Sequence, residues 1–195
     1  PENYPDFLSV TTDLDEQYLN ATLKVEGVTR LPGNNDQVII ELFNSDNKMI
    51  DLKSTSVQVS GNVFSVTNLI MDPLKWDAEH PNLYSLKVSY VNDGNVTWYK
   101  YYKIGFREIE ELGNRFLING KQVKLRGVCR HEIDPLLGRV STAEYELKDV
   151  LLAKEANVNF IRTSHYPPTE NFLRMCDKYG IYVECDPSVS NSEAN

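Results

Sequence analysis

Three short apolar runs in the last third of the chain each end in polar side chains able to do chemistry: Arg130-His131-Glu132, Arg162-Thr163-Ser164-His165 and Glu184-Cys185-Asp186. Helix-patterned segments separate them. Strand, helix, strand, helix, strand with short links implies parallel pairing with right-handed crossovers. Parallel neighbours align their carboxyl ends at one edge of the sheet. The three polar tips are therefore expected to share one pocket, with His131, Arg162, His165 and Glu184 as candidate members.

Local signals set the expected elements. Asn119-Gly120 lies between two apolar runs and predicts a hairpin, because both residues tolerate the positive φ of a type I′ turn. A strand is expected over Val123–Val128, then a loop through Asp134-Pro135 and Gly138. Ser141 and Glu144 form a capping-box pattern, followed by Leu147, Val150, Leu151 and Lys154 at helical spacing, and the helix should end near Asn157. A second strand follows over Val158–Arg162. After Pro167-Pro168, Thr169 should start a helix whose apolar face is Phe172, Met175, Cys176 and Tyr179, with Gly180 as its stop. Ile181–Val183 reads as a third strand.

The first half has a different texture. From Phe7 to about Gly105, alternating runs such as Tyr18–Val25, Gln37–Phe43 and Leu83–Tyr90 are broken by turn residues at 32–35, 45–47 and 92–94. That pattern predicts an antiparallel sandwich. Its only histidine, His80, precedes Pro81, and no reactive cluster stands out. A structural or spacer role fits.

Charge and composition exclude several classes. Net charge is −8, with 14 acids against 8 bases over residues 1–105 and 14 against 12 over 106–195, so neither half carries the basic footprint of a nucleic-acid binder. No stretch approaches the ~20 apolar residues of a membrane span. The chain reads as soluble, with its compartment undetermined, since it fits a piece cut from a longer parent. Cys129, Cys176 and Cys185 lack CxxC spacing and read as buried free thiols. His131-Glu132 has no second histidine four residues on, and Glu132, Asp134 and Glu184 lack a calcium-loop order, so no metal site is expected here. Nucleophile elbows and glycine-rich phosphate loops are absent. Ser164 and His165 are adjacent and would point opposite ways on an extended chain, so they are not a nucleophile and its base.

Asn159-Phe-Ile-Arg-Thr-Ser-His-Tyr-Pro167, with Phe172-Leu173, Asp177 and Gly180-Ile-Tyr-Val183 at fixed spacing, resembles the signature of glycoside hydrolase family 2. Gly127-Val-Cys-Arg-His-Glu132 resembles that family's first barrel strand. Trp76-Asp-Ala-Glu-His-Pro-Asn-Leu-Tyr84 is similar to the end of its immunoglobulin-like domain. The resemblance implies a two-part fold: an all-β immunoglobulin-like sandwich over 1–105, then an incomplete (β/α)8 TIM barrel over 106–195, comprising the first three β/α units.

Arg-His-Glu after the first strand is most similar to the β-galactosidase branch, which implies hydrolysis of terminal β-galactosides by the full-length parent. By that likeness His131, His165 and Glu132 would contact substrate or support the transition state, and Arg162 would orient the nucleophilic carboxylate. Glu184-Cys-Asp-Pro-Ser188 departs from the branch's Asp-Glu-Ala-Asn, which leaves the glycoside, and the roles of Glu184 and Asp186, open. Residues 106–195 number 90, against the roughly 250 of a full barrel. The resemblance implies that both catalytic glutamates lie on later barrel strands, beyond Asn195, and that the isolated chain should be inactive.

The resemblance allows Mg or Na in the full-length parent, none within this chain, and a homo-oligomer. The partner expected is a glycoside or oligosaccharide, with neither nucleic acid nor membrane. Self-association or local disorder is expected near the C-terminus, from uncovered strand edges. Two alternatives stand beside this: a non-catalytic carbohydrate-binding or scaffold module, or a β-glucuronidase- or β-mannosidase-like parent.

Overall fold

In the computed structural model the described residues are 4–30, 32–33, 35–134 and 136–186. The expectation about the C-terminal residues, and the Pro187-Ser188 part of the third rim, lie outside them. Contacts divide the chain into two compact units, Pro1–Trp76 with Asn82–Gln122, and Asp77–Pro81 with Val123–Asn195.

The first unit contains two antiparallel sheets. One orders β1 (Pro5–Leu14), β2 (Ala21–Thr29) and β6 (Val63–Ile70). The other orders β4 (Met49–Ile50), β3 (Gln37–Phe43), β7 (Tyr84–Asn92) and β8 (Asn95–Ile104), with β5 (Ser56–Gln58) also on β3. Alternation builds the core: Leu23, Val25, Val38, Ile40, Leu42, Leu86, Val88 and Tyr90 are all fully buried, whereas their sequence neighbours are more exposed. Each such aliphatic burial contributes about 1.5–3 kcal/mol. β2 begins three residues later than the alternation suggests. The Asp15 carboxylate accepts hydrogen bonds from Leu19 N, Asn20 N and Asn20 Nδ2, and Tyr18 sits at φ 55°. Turn chemistry there outweighs the strand pattern.

A three-stranded meander, β9 (Ile109–Leu112), β10 (Arg115–Ile118) and β11 (Lys121–Gln122), completes this unit. The expected hairpin is present, with Asn119 at φ 51° and Gly120 at φ 73° between β10 and β11.

A buried carboxylate ties the β3 entry to β7. Asp36, 1% exposed, accepts from Gly33 N at 2.6 Å, Tyr90 Oη at 2.5 Å and Asn92 Nδ2 at 2.6 Å. Burial pushes its carboxyl pKa up, but the bonds from Tyr90, Gly33 and Asn92 outweigh that and hold it below the usual value. The Tyr90 phenol is pushed up to about 12, first by burial and then by the Asp36 carboxylate. The signs follow from linkage. Asp36 contributes stability that is present above about pH 4 and lost as pH falls through its lower folded value. Tyr90 contributes stability that is complete below about pH 10 and lost as pH rises through its folded value. Urea unfolding followed by tryptophan emission should show both limbs, since Trp76 and Trp98 belong to this unit. Asp36→Asn should flatten the acid limb and Tyr90→Phe the alkaline one; an acid limb identical in Asp36→Asn would disprove the assignment.

The second unit is a strand and helix repeat. β12 (Gly127–Arg130), α1 (Ala143–Glu155), β13 (Phe160–Thr163), α2 (Glu170–Tyr179) and β14 (Tyr182–Cys185) form a sheet ordered β12-β13-β14, with both pairings parallel. β12 starts at Gly127, not Val123. The Asn159 side chain takes the preceding backbone, accepting from Arg126 N at 2.7 Å and donating to Lys124 O at 3.1 Å, so the parallel ladder begins only after it. The cap of α1 is Thr142, whose hydroxyl accepts from Tyr145 N, and not Ser141. Ser141 Oγ accepts from Arg130 Nη2 instead.

Thr169 caps α2 as expected, accepting from Phe172 N, and Gly180 ends it at φ 76°. A Cβ at Gly180 would lie 2.3 Å from Ala78 O, so glycine is required there on two counts. The core of this unit is Val150, Ala153, Ile161, Phe172, Cys176 and Ile181. The buried face of α1 is Glu146, Val150 and Ala153; Leu151 is 39% exposed, against expectation. Lys154 turns its Nζ to Ala78 O and Gly180 O.

Candidate active-site rim

Strand alternation sorts the polar tips onto two faces. Register places Cys129 beside Arg162 and Arg162 beside Glu184, and, one position on, Arg130 beside Thr163 and Thr163 beside Cys185. Thr163, like Ile161, is buried on the helix side. Arg130 follows it there: its guanidinium lies over the Phe172 ring at 4.2 Å, its Nε donates to Asp149 Oδ2 at 2.7 Å, and its Nη1 reaches Glu132 Oε1 at 3.4 Å. Arg130 is thus a packing and ion-pair residue, supported by cation–π attraction.

Arg162 points the other way. Its Nη2 donates to Asp186 Oδ2 at 2.9 Å, and its Nε lies 3.6 Å from Glu184 Oε1, too far for a hydrogen bond. That Nε is buried without a hydrogen-bond partner among the described residues. His165 Nδ1 meets the same Asp186 oxygen at 3.3 Å. The His165 ring stands edge-on to His131 at 5.5 Å between centroids, and His131 is 6.4 Å from Tyr166. His131, Arg162, His165 and Glu184 are therefore joined through consecutive contacts, as the aligned strand ends imply. The Ser164–His165 peptide is cis, and Ser164 N donates to Arg130 O at 2.9 Å.

Glu132, expected among substrate contacts, has its Oε1 committed elsewhere. It accepts from Arg130 and from Thr169 N at 3.3 Å, while its own backbone N donates to Tyr166 Oη at 3.0 Å. Its side chain is 16% exposed, compared with 56% for Glu184. The thiols also depart from expectation. Only Cys176 is buried, and burial pushes its pKa up to about 12; Cys129 and Cys185 are exposed.

Two contributors had no sequence signal. Glu146, 2% exposed on α1, accepts from Thr169 Oγ1 and Asn171 Nδ2 and so fixes the start of α2. Asp149 holds Arg130. Asp186 belonged to the third polar tip, but its role as a shared acceptor is visible only in three dimensions.

Among the described residues no group of three His, Cys, Asp or Glu side chains is arranged to hold a metal. The carboxylates at the rim, Glu184 and Asp186, both face the Arg162 guanidinium.

Beside the sheet, a shallow groove of about 320 Å³ is lined by Leu125, Gly127, Val128, Cys129, Phe160 and Arg162. One end of this groove is charged and the rest apolar.

Comparison with known proteins identifies the family of both parts of the chain. The family model described as "Glycosyl hydrolases family 2" matches residues 6–107, and "Glycosyl hydrolases family 2, TIM barrel domain" matches 108–192. A β-galactosidase of Pseudoalteromonas haloplanktis is 39% identical over 190 residues, 92% of this chain and 18% of that protein. One from Vibrio vulnificus is 37% identical over 199 residues, 95% of this chain and 19% of that protein. Among solved structures, Parabacteroides merdae β-glucuronidase superposes with a TM-score of 0.85 at 25% identity, covering 94% of this chain and 23% of its own. Bacteroides uniformis β-glucuronidase gives 0.82 at 28% identity, covering 94% and 24%. The chain thus spans about a fifth of the length of its curated relatives. With these family models together matching residues 6–192, the chain belongs to glycosyl hydrolase family 2.

Proposed function

We propose that this chain forms the immunoglobulin-like domain and the opening of the barrel of a retaining β-galactosidase, where it supplies one side of the sugar site. The single observation that carries this reading is the rim in which Arg162 and His165 converge on Asp186, with the His131 ring edge-on to His165. In glycoside hydrolysis the transition state resembles an oxocarbenium ion, and hydrogen bonds to ring hydroxyls strengthen as that charge develops. His131 and His165 take that role. Arg162 steadies the nucleophilic carboxylate through its guanidinium charge. The β-galactosidase relatives at 37–39% identity support galactoside over glucuronide.

A retaining enzyme needs one free carboxylic acid and one free carboxylate about 5–5.5 Å apart. Here Glu132 is bound by Arg130 and Thr169, Asp186 by Arg162 and His165, and Glu184 faces Arg162. The isolated chain should therefore show no turnover of nitrophenyl β-galactoside above the buffer rate. The full-length parent should cleave it at least about tenfold more efficiently than the matching glucuronide or mannoside, a difference of about 1.4 kcal/mol in transition-state binding. Turnover by the isolated chain that disappears in Glu132→Gln would place the catalytic pair inside this chain and defeat the reading. Preference of the parent for glucuronide would move it to the other branch.

A further inference from the structure

Asp186 meets two other rim residues through a single oxygen. Its Oδ2 accepts from Arg162 Nη2 at 2.9 Å and faces His165 Nδ1 at 3.3 Å, while its side chain is only 20% exposed. Its own placement is fixed from behind. Asp186 N donates to Thr163 Oγ1, and Thr163 Oγ1 donates to Glu184 O, so the turn after β14 is anchored to β13 through the buried Thr163. His165, by contrast, is 73% exposed and has no other hydrogen-bond partner for its ring among the described residues.

A neutral imidazole carries one proton, and the nitrogen that holds it is set by the partner of the other. A carboxylate only accepts, so the nitrogen facing Asp186 must be the donor. We infer that Asp186 is a positioning residue that fixes His165 as the Nδ1–H tautomer, leaving Nε2 as a hydrogen-bond acceptor, and in the same contact locks the Arg162 guanidinium. The inference rests on the glycosidase reading for its use: Nε2 then accepts from a sugar hydroxyl and cannot donate to a ring oxygen. The ligand group that His165 selects is a hydroxyl donor. The other residues facing this cluster are Glu184, which pairs with Arg162, and His131, which meets His165 edge-on. Neither contacts His165 Nδ1.

The test needs only this chain and no substrate. Long-range nitrogen–proton correlation spectra of the histidine rings report which ring nitrogen is protonated. In the wild-type chain His165 should be mainly Nδ1–H. In Asp186→Ala the preference should invert to Nε2–H, and rotation of the Arg162 Nη groups should speed up; Asp186→Glu should restore much of both. A residue that only stabilised the fold would shift backbone amides without inverting one ring's tautomer. A wild-type His165 found mainly as Nε2–H overturns the inference without any variant. An unchanged tautomer in a folded Asp186→Ala chain overturns it as well. Neither result depends on which glycoside the parent cleaves.

Discussion

Phe172→Ala should lower the stability of the strand and helix unit by about 3–5 kcal/mol, the usual cost of deleting a buried aromatic ring. Phe172 is completely buried, sits among Val150, Ala153, Ile161, Cys176 and Ile181, and carries the Arg130 guanidinium on its face at 4.2 Å. Truncation removes the ring, opens a cavity and leaves a nearly buried arginine without its apolar support. The remaining bonds of Arg130 to Asp149, Glu132 and Ser141 limit the electrostatic part of the loss. Both helices among the described residues belong to this unit, so urea unfolding followed by helical ellipticity measures it directly. Phe172→Leu, which retains most of the volume, should cost clearly less. Equal losses for the two variants would mean that the aromatic contact with Arg130 dominates, with the cavity a minor term.

Glu146→Ala should cost about 2–4 kcal/mol in the same measurement. Alanine is the better helix former, so intrinsic propensity favours the variant by a few tenths of a kcal/mol. The side-chain bonds decide against it. The Glu146 carboxylate accepts from Thr169 Oγ1 and Asn171 Nδ2, and hydrogen bonds to charged groups contribute about 1.5–3 kcal/mol each, less where water can replace them. Thr169 also caps α2 through Phe172 N, so loosening it weakens the helix start. Glu146→Gln keeps the shape and one acceptor oxygen and should fall between wild type and alanine. A neutral Glu146→Ala would show that Thr169 is held by Glu132 and its own cap alone. The same variant should broaden the signals of His165, because residues 164–169 connect β13 to the helix that Glu146 anchors.

Much of this architecture is written in local pattern. The parallel order of the second unit follows from helical spacing between apolar runs too short to pair otherwise. Thr169 as a cap and Gly180 as a stop follow from side-chain chemistry that acts within a few residues. The hairpin at Asn119-Gly120 has the same origin. Where local pattern failed, a competing side-chain hydrogen bond intervened. Asn159 takes the peptide groups at 124–126 and delays β12; Arg130 draws Ser141 away from capping; Asp15 converts the start of an alternating run into a turn.

The candidate site divides along the same line. Spacing along the chain determined that His131, Arg162 and His165 stand at the carboxyl ends of adjacent parallel strands, because strand and helix periods are local properties. Which partner each polar group has was decided only by the tertiary structure. Alternation turned Arg130 to the helices and Arg162 to the open face, Glu132 was claimed by Arg130 and a helix amide, and Asp186 became the acceptor shared by Arg162 and His165. Hydrogen-bond energy falls steeply with distance and angle. Residues 24 positions apart in the chain, such as Arg162 and Asp186, meet at 2.9 Å only once the register of three strands has been set.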